Sequence, residues 1–257
     1  MRTILNSLQL REIFHLEFLR WFARKLKVKY YALKGGTNLR FFFNSFRYSE
    51  DMDLDINGVE VNSLKDIVMK ILQNSSFRDI FKPFGIEEIV PPEIMYAKQT
   101  ATTQRFKIHL ITSAGEDLFT KIEFSRRGFK GRAIVQPALD TILREYKLPP
   151  LLVPHYDLQS AIAQKIDALA TRSLIQARDI FDLYILSSQY KPSKTEKIKT
   201  VPAKLTKAYE KTFEVSFEQF RDTVISYLSF EDQATYNSSS LWDEIRLKVS
   251  NFIKELQ

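Results

Sequence analysis

Apolar side chains recur at helical spacing through residues 3–27: Ile4, Leu8, Ile13, Phe14, Leu16, Phe18, Leu19, Phe22 and Leu26. That pattern predicts one or two helices. The period then changes. VKYYALKG reads as a short strand running into a glycine turn, TNLRFFFNSF as the helix that the turn opens, and DMDLDI as a strand in which acid and apolar residues alternate. Asn57-Gly58 ends that strand, and NSLKDIVMKILQNS predicts an amphipathic helix with Asn62 or Ser63 as its cap. Strand-like text follows at about 93–101, 105–111, 119–126 and 133–135. Serial strands after an early helix imply an antiparallel extension of the sheet.

Pro149-Pro150 and Pro154 interrupt the pattern, because consecutive prolines favour an extended linker and exclude helix. They divide the chain into expected domains 1–150 and 151–257. Beyond them, YDLQSAIAQKIDALATRSLIQARDIFDLYILSS reads as two helices separated near Ser173, with Asp157 capping the first. The remainder is helical and charged, with Trp242, Leu247 and Phe252 as packing residues and residues 194–211 as a basic face. The fold class is therefore α+β: a mixed or antiparallel sheet with flanking helices, then a helical domain.

Composition narrows the function classes. With 44% hydrophobic and 27% charged residues, the 257-residue chain has the make-up of an ordinary globular protein. No apolar run approaches the ~18 residues that span a bilayer, and the N-terminus lacks a signal-peptide layout. Zero cysteines exclude disulfides and thiolate-bound zinc and fit a cytoplasmic location. The net charge of +7 favours encounter with polyanions. Neither a Walker loop nor a dinucleotide glycine fingerprint is present. His15, His109 and His155 stand in unrelated contexts that support no hydrolase triad.

The candidate chemistry lies in LKGGT and the acidic run after it. Gly35 and Gly36 leave backbone N–H groups open to close approach, and Thr37 adds a hydroxyl. In an extended strand Asp51, Asp53 and Asp55 project to one face, while Met52, Leu54 and Ile56 face the core. Carboxylates so placed repel one another unless a cation joins them. A hard ion such as Mg²⁺ (or Mn²⁺), held by one or two carboxylates and substrate phosphates, relieves that cost. A solvated acidic loop is the alternative.

Gly35-Gly36-Thr37, thirteen residues and then Asp51-Met52-Asp53-Leu54 resemble the signature of polymerase-β-type nucleotidyltransferases. The longer text LKGGTNLRFFFNSFRYSEDMDLDI is similar to the AbiEii/AbiGii toxin family, which includes MenT-type toxins. The resemblance covers about residues 30–56 and returns near residues 165–183. It implies a polymerase-β-like nucleotidyltransferase domain in which Asp51, Asp53 and Glu123 bind metal, with Glu123 as the third carboxylate from a neighbouring strand. Gly35, Gly36 and Thr37 would hold the triphosphate of an NTP. Lys165 would contact its phosphates, supported by Asp179 or Asp182, and the second domain would complete the nucleotide site. Arg47 and Ser49 match the pattern around the acids, as nucleotide contacts or as structural residues. The resemblance further implies NMP transfer to RNA, the tRNA 3′ end, by the toxin of a toxin–antitoxin or phage-defence system with a separately encoded antitoxin. Transfer to a protein or small molecule, and a catalytically silent nucleotide- or RNA-binding module, are the competing readings.

Overall fold

The computed structural model describes residues 5–94, 97–192 and 198–257. Residues 1–4, 95–96 and 193–197 lie outside that description, and with them the ends or parts of the expected elements at 3–27, 93–101 and 194–211. The chain divides into two compact units. One comprises Met1–Phe41, Tyr48–Phe129 and Ala133–His155, the other Phe42–Arg47, Lys130–Arg132 and Tyr156–Gln257.

The first unit begins with one helix, α1 (Ser7–Ala23), closed by a capping box. Asn6 Oδ1 accepts from the N–H groups of Leu8 and Gln9, while Gln9 Oε1 accepts from Asn6 N–H. Strand β1 (Tyr31–Lys34) runs directly into helix α2 (Gly35–Phe42), and β2 (Asp51–Ile56) follows. Helix α3 (Val61–Leu72) has Glu60 at its cap position with no side-chain cap bond, so neither Asn62 nor Ser63 caps it. After α4 (Ser75–Asp79) comes β3 (Ile86–Val90), which alternation alone did not reveal because a bulge interrupts its register. Then follow β4 (Thr103–Thr112), β5 (Asp117–Ser125), β6 (Ala133–Pro137), α5 (Asp140–Glu145) and β7 (Leu152–Tyr156). The stretch expected as a strand at 93–101 contributes only an isolated bridge from Gln99 to Gln104 among its described residues. Pro154, expected in a linker, lies inside β7.

Among the described residues these strands form one seven-stranded mixed sheet in the order β3-β4-β5-β2-β1-β7-β6. The pair β4–β5 is antiparallel, as the serial strands implied; β3–β4 and β1–β2 are antiparallel too, and β2–β5 and β1–β7 are parallel. One face of the sheet is apolar: Tyr31, Leu33, Met52, Leu54, Ile122 and Phe124 are all buried. Phe22 of α1 meets that face edge-on at Tyr31, 5.0 Å between centroids, and packs on Phe124 at 5.4 Å. Phe14, Phe77 and Phe81 continue the aromatic layer toward α4.

Glu12 and His15 are two of the polar residues buried in this unit. Glu12 of α1 accepts from Arg40 Nε of α2 at 2.6 Å and from the Tyr146 hydroxyl at 2.6 Å, so α2 is locked to α1 by a buried, fully engaged carboxylate. His15 is the second. Its Nε2 lies 2.8 Å from Thr120 Oγ1, whose own proton is donated to Glu50 O at 2.6 Å, so Nε2–H is the donor. Burial, helped by the charge of Arg11, pulls the imidazole pKa down to about 3.

The second unit is helical: α6 (Leu158–Thr171), α7 (Ala177–Ser187), α8 (Pro202–Lys211), α9 (Phe217–Thr223), α10 (Phe230–Tyr236) and α11 (Ser239–Glu255). Asp157 caps α6 through Ser160 N–H at 2.9 Å. Gly131, at φ +130°, is required where it stands, since a Cβ there would meet Ser160 Oγ at 2.4 Å. Trp242 stacks on Phe220 at 4.2 Å and Phe252 is buried, whereas Leu247 is exposed and is not a packing residue. Of the expected basic face, Lys204 pairs with Asp167, and Lys211 donates to the carbonyls of Ala170 and Arg172 that end α6.

A depressed histidine pKa makes stability depend on pH in one direction. The native state refuses a proton that the unfolded chain accepts, so this contribution is full above about pH 6.5 and is lost as pH falls toward about 3. His15→Gln keeps an N–H donor for Thr120 and removes the titration. Urea midpoints at about pH 7 and about pH 4.5 should show wild type losing more stability than the variant between the two conditions. Equal losses would show that His15 does not carry the effect.

Candidate active site

The strand-to-helix turn sets the first group of predicted residues. Gly35 has φ +71°, a left-handed conformation, and a Cβ placed on it would lie 3.0 Å from Asp53 Oδ2. The glycine therefore serves both the turn and the close approach of the Asp53 carboxylate. Gly35, Gly36 and Thr37 form the first turn of α2, where amide N–H groups have no partner within the helix and the dipole favours negative charge. Thr37 is buried, and its hydroxyl donates to Lys34 O at 3.3 Å.

Sheet register assembles the acids. Asp53 lies opposite Lys34 on β1 and opposite Glu123 on β5; Glu123 lies opposite Arg105 on β4. One level along the strands, Asp51 faces Lys121. The sheet face opposite the aromatic layer thus carries a crossed array of charges, with acids in the middle and cations at the sides. Lys121 Nζ is 2.8 Å from Asp51 Oδ2, Arg105 holds Glu123 Oε2 at 2.7 Å, and Lys34 Nζ is 2.5 Å from Asp55 Oδ1. Ser49 Oγ donates to the Asp51 carbonyl at 2.8 Å, which steadies the entry to β2.

Asp53 stands apart. Among the described residues no hydrogen bond or ion pair holds its carboxylate. Burial raises its pKa most strongly; Lys34 and Lys121 oppose the shift, while Glu123 and Asp51 add to it. Among the described residues no three carboxylate or imidazole side chains converge into a ready-made metal cage. The oxygens of Asp51 and Asp53 are hard donors of the kind Mg²⁺ takes one or two at a time, alongside phosphate and water.

The other predicted residues lie together in the helical unit. Lys165 of α6 points its ammonium between two carboxylates of α7, 3.1 Å from Asp179 Oδ1 and 2.6 Å from Asp182 Oδ2. Arg47 binds Asp182 through both Nε, at 3.2 Å, and a terminal nitrogen, at 3.1 Å. Arg172 Nε lies 3.3 Å from Asp179 Oδ2. Asp179 and Asp182 are fully buried, spaced three residues apart so that both meet one lysine. Burial alone would raise the Asp182 pKa, but the charges of Arg47 and Lys165 bring it below the ordinary carboxylate value.

Sequence reading missed Arg105 and Lys121. Lys121 had a signal, standing two residues before Glu123 and hence on its face of the strand; Arg105 had none, since only the β4–β5 register sets it against Glu123. Arg126 is spent within the first unit, donating to Gln104 Oε1 and the Val59 carbonyl.

The family model described as nucleotidyl transferase AbiEii toxin of type IV toxin–antitoxin systems matches residues 17–247. Among solved structures, MenT4, a nucleotidyltransferase toxin from Mycobacterium tuberculosis, superposes with a TM-score of 0.58 at 15% identity, over 98% of this chain and 85% of that chain. JHP933 from Helicobacter pylori gives 0.57 at 18% identity, over 99% and 93%. These likenesses show the fold. No curated protein matches the chain. With the family match spanning nearly all of both units, the chain belongs to the AbiEii family and is a nucleotidyltransferase toxin of a type IV toxin–antitoxin system.

Proposed function

We propose that the protein transfers NMP from an NTP to an RNA acceptor, the tRNA 3′ end, in a divalent-metal-dependent reaction neutralised by a separately encoded antitoxin. The observation that carries the metal-dependent reading is Asp53: a partly buried carboxylate with no ion pair among the described residues, seated against Gly35 beside the first turn of α2. The RNA acceptor rests on the family resemblance and on the net charge of +7.

Asp51 and Asp53 are the residues that would hold Mg²⁺ or Mn²⁺, with Glu123 as the third carboxylate. When bound, the ion neutralises phosphate charge and polarises the α-phosphorus. The amides of Gly35, Gly36 and Thr37 receive phosphate oxygens. An acceptor hydroxyl oxygen bonds to the α-phosphorus as the bond to the bridging oxygen breaks and pyrophosphate leaves. Glu123 takes the hydroxyl proton. By the family resemblance Lys165 would bring a compact cation to the triphosphate, and Asp179 and Asp182 hold its ammonium in place. Arg47 positions Asp182, and Ser49 positions Asp51.

The first test is incorporation of each α-³²P-labelled NTP into total tRNA with Mg²⁺. Label should appear with at least one NTP and fall by a factor on the order of 10³ in Asp53→Ala and in Asp51→Ala, about 4 kcal/mol of lost transition-state stabilisation. No label in tRNA from any NTP sinks the tRNA assignment, and label in protein or small molecules would replace it. Growth inhibition that persists at full strength in the double alanine variant would sink catalysis as the toxic act.

A second prediction concerns Lys165. Lys165→Met leaves two buried carboxylates short of a cation and should cost about 3–5 kcal/mol of stability, read as a lower urea midpoint. Adding Asp179→Asn should restore part of that loss. A Lys165→Met protein as stable as wild type would show that these carboxylates do not depend on the ammonium.

A further inference from the structure

The polar face of the sheet distributes its cations unevenly. Asp51 has Lys121, Glu123 has Arg105 and Asp55 has Lys34, while Asp53 has none among the described residues. The β1–β2 register makes this distribution unexpected. Lys34 lies directly opposite Asp53, and Asp55 is its diagonal neighbour, opposite Ala32. Direct cross-strand partners are the nearer pair, about 4.5–5.5 Å between Cβ atoms against about 7–8 Å along the diagonal. Lys34 nevertheless reaches past Asp53 to Asp55, with Nζ 2.5 Å from Oδ1.

Burial accounts for the choice. Asp55 is 2% exposed, so its charge cannot be left to solvent, whereas Asp53 is only partly buried. A buried carboxylate deprived of its cation loses far more than one that still meets water. Lys34 is also the charged group that acts most strongly on Asp53, so it is close enough to compete for that carboxylate if released.

We propose that Asp55 is a positioning residue for the active site: its buried carboxylate holds the Lys34 ammonium off Asp53 and so keeps Asp53 open to a divalent cation. The inference rests on the reading of Asp51 and Asp53 as the cation-binding pair. It gives the alternating acids of DMDLDI two kinds of work. Asp51 and Asp53 face the ion, and Asp55 removes the lysine that would otherwise quench the site.

The test is Mn²⁺ binding to the full chain without nucleotide, followed by the loss of the free-Mn²⁺ electron paramagnetic resonance signal. Folding of each variant is checked by circular dichroism. Asp55→Asn should weaken Mn²⁺ binding about tenfold, because the freed Lys34 turns to Asp53. Asp55→Asn/Lys34→Met should return to within about threefold of wild type, a rescue that a merely structural Asp55 would not allow. A loss under about threefold in Asp55→Asn, or a double variant as weak as the single one, overturns the proposal. Should Asp55→Asn fail to fold, Lys34→Met decides alone: Mn²⁺ binding equal to or tighter than wild type supports the proposal, and weaker binding overturns it. Asp53→Asn separates this inference from the reading beneath it. Wild type that binds Mn²⁺ no better than Asp53→Asn overturns both, whereas binding through Asp53 that ignores Asp55→Asn overturns this inference alone.

Discussion

The register of β2 against its two neighbours is the constraint on which the candidate site depends. Asp53 meets Glu123 only because β2 and β5 run parallel at that offset, and Lys34 faces Asp53 only because β1 returns antiparallel beside them. A slip of β2 by one residue would turn Asp51, Asp53 and Asp55 toward the aromatic layer of Phe22, Tyr31 and Phe124. The apolar face therefore enforces the polar one. Burying Tyr31, Leu33, Met52, Leu54, Ile122 and Phe124 leaves their alternate neighbours a single place to go.

The carboxylates of the two units are treated in opposite ways. Asp179 and Asp182 are wholly buried and surrounded by Arg47, Lys165 and Arg172, and the Asp182 pKa is held below its ordinary value. Asp53 has no ion pair among the described residues, and burial raises its pKa. The first arrangement stabilises charges that must stay put. The second leaves a carboxylate whose charge is only partly compensated, the feature on which the proposed cation site rests.

Helix α2 links the core to this chemistry. Its first turn supplies the open amides beside Asp53, and its Arg40 is bound to Glu12 of α1, which also accepts from Tyr146. The glycine pair thus sits on a helix whose position is set by a buried polar network, so the flexibility that glycine permits is confined to the turn itself.

The sequence by itself determined the strand–glycine–helix turn, the alternation of Asp51 and Asp53 with buried Met52 and Leu54, and the spacing that puts Asp179 and Asp182 on one face of their helix. Each follows from local geometry, a period of two or of 3.6 and a residue without a Cβ. Its misses share another origin. Strand β3 was hidden by a bulge, β7 by Pro154, and the exposure of Leu247 by a helical pattern that does not say which faces are covered. The partners of the acids, Lys121 for Asp51, Arg105 for Glu123 and Lys34 for Asp55 rather than Asp53, were decided only by the tertiary structure. Cross-strand register and burial are properties of the assembled sheet, and no local period encodes them.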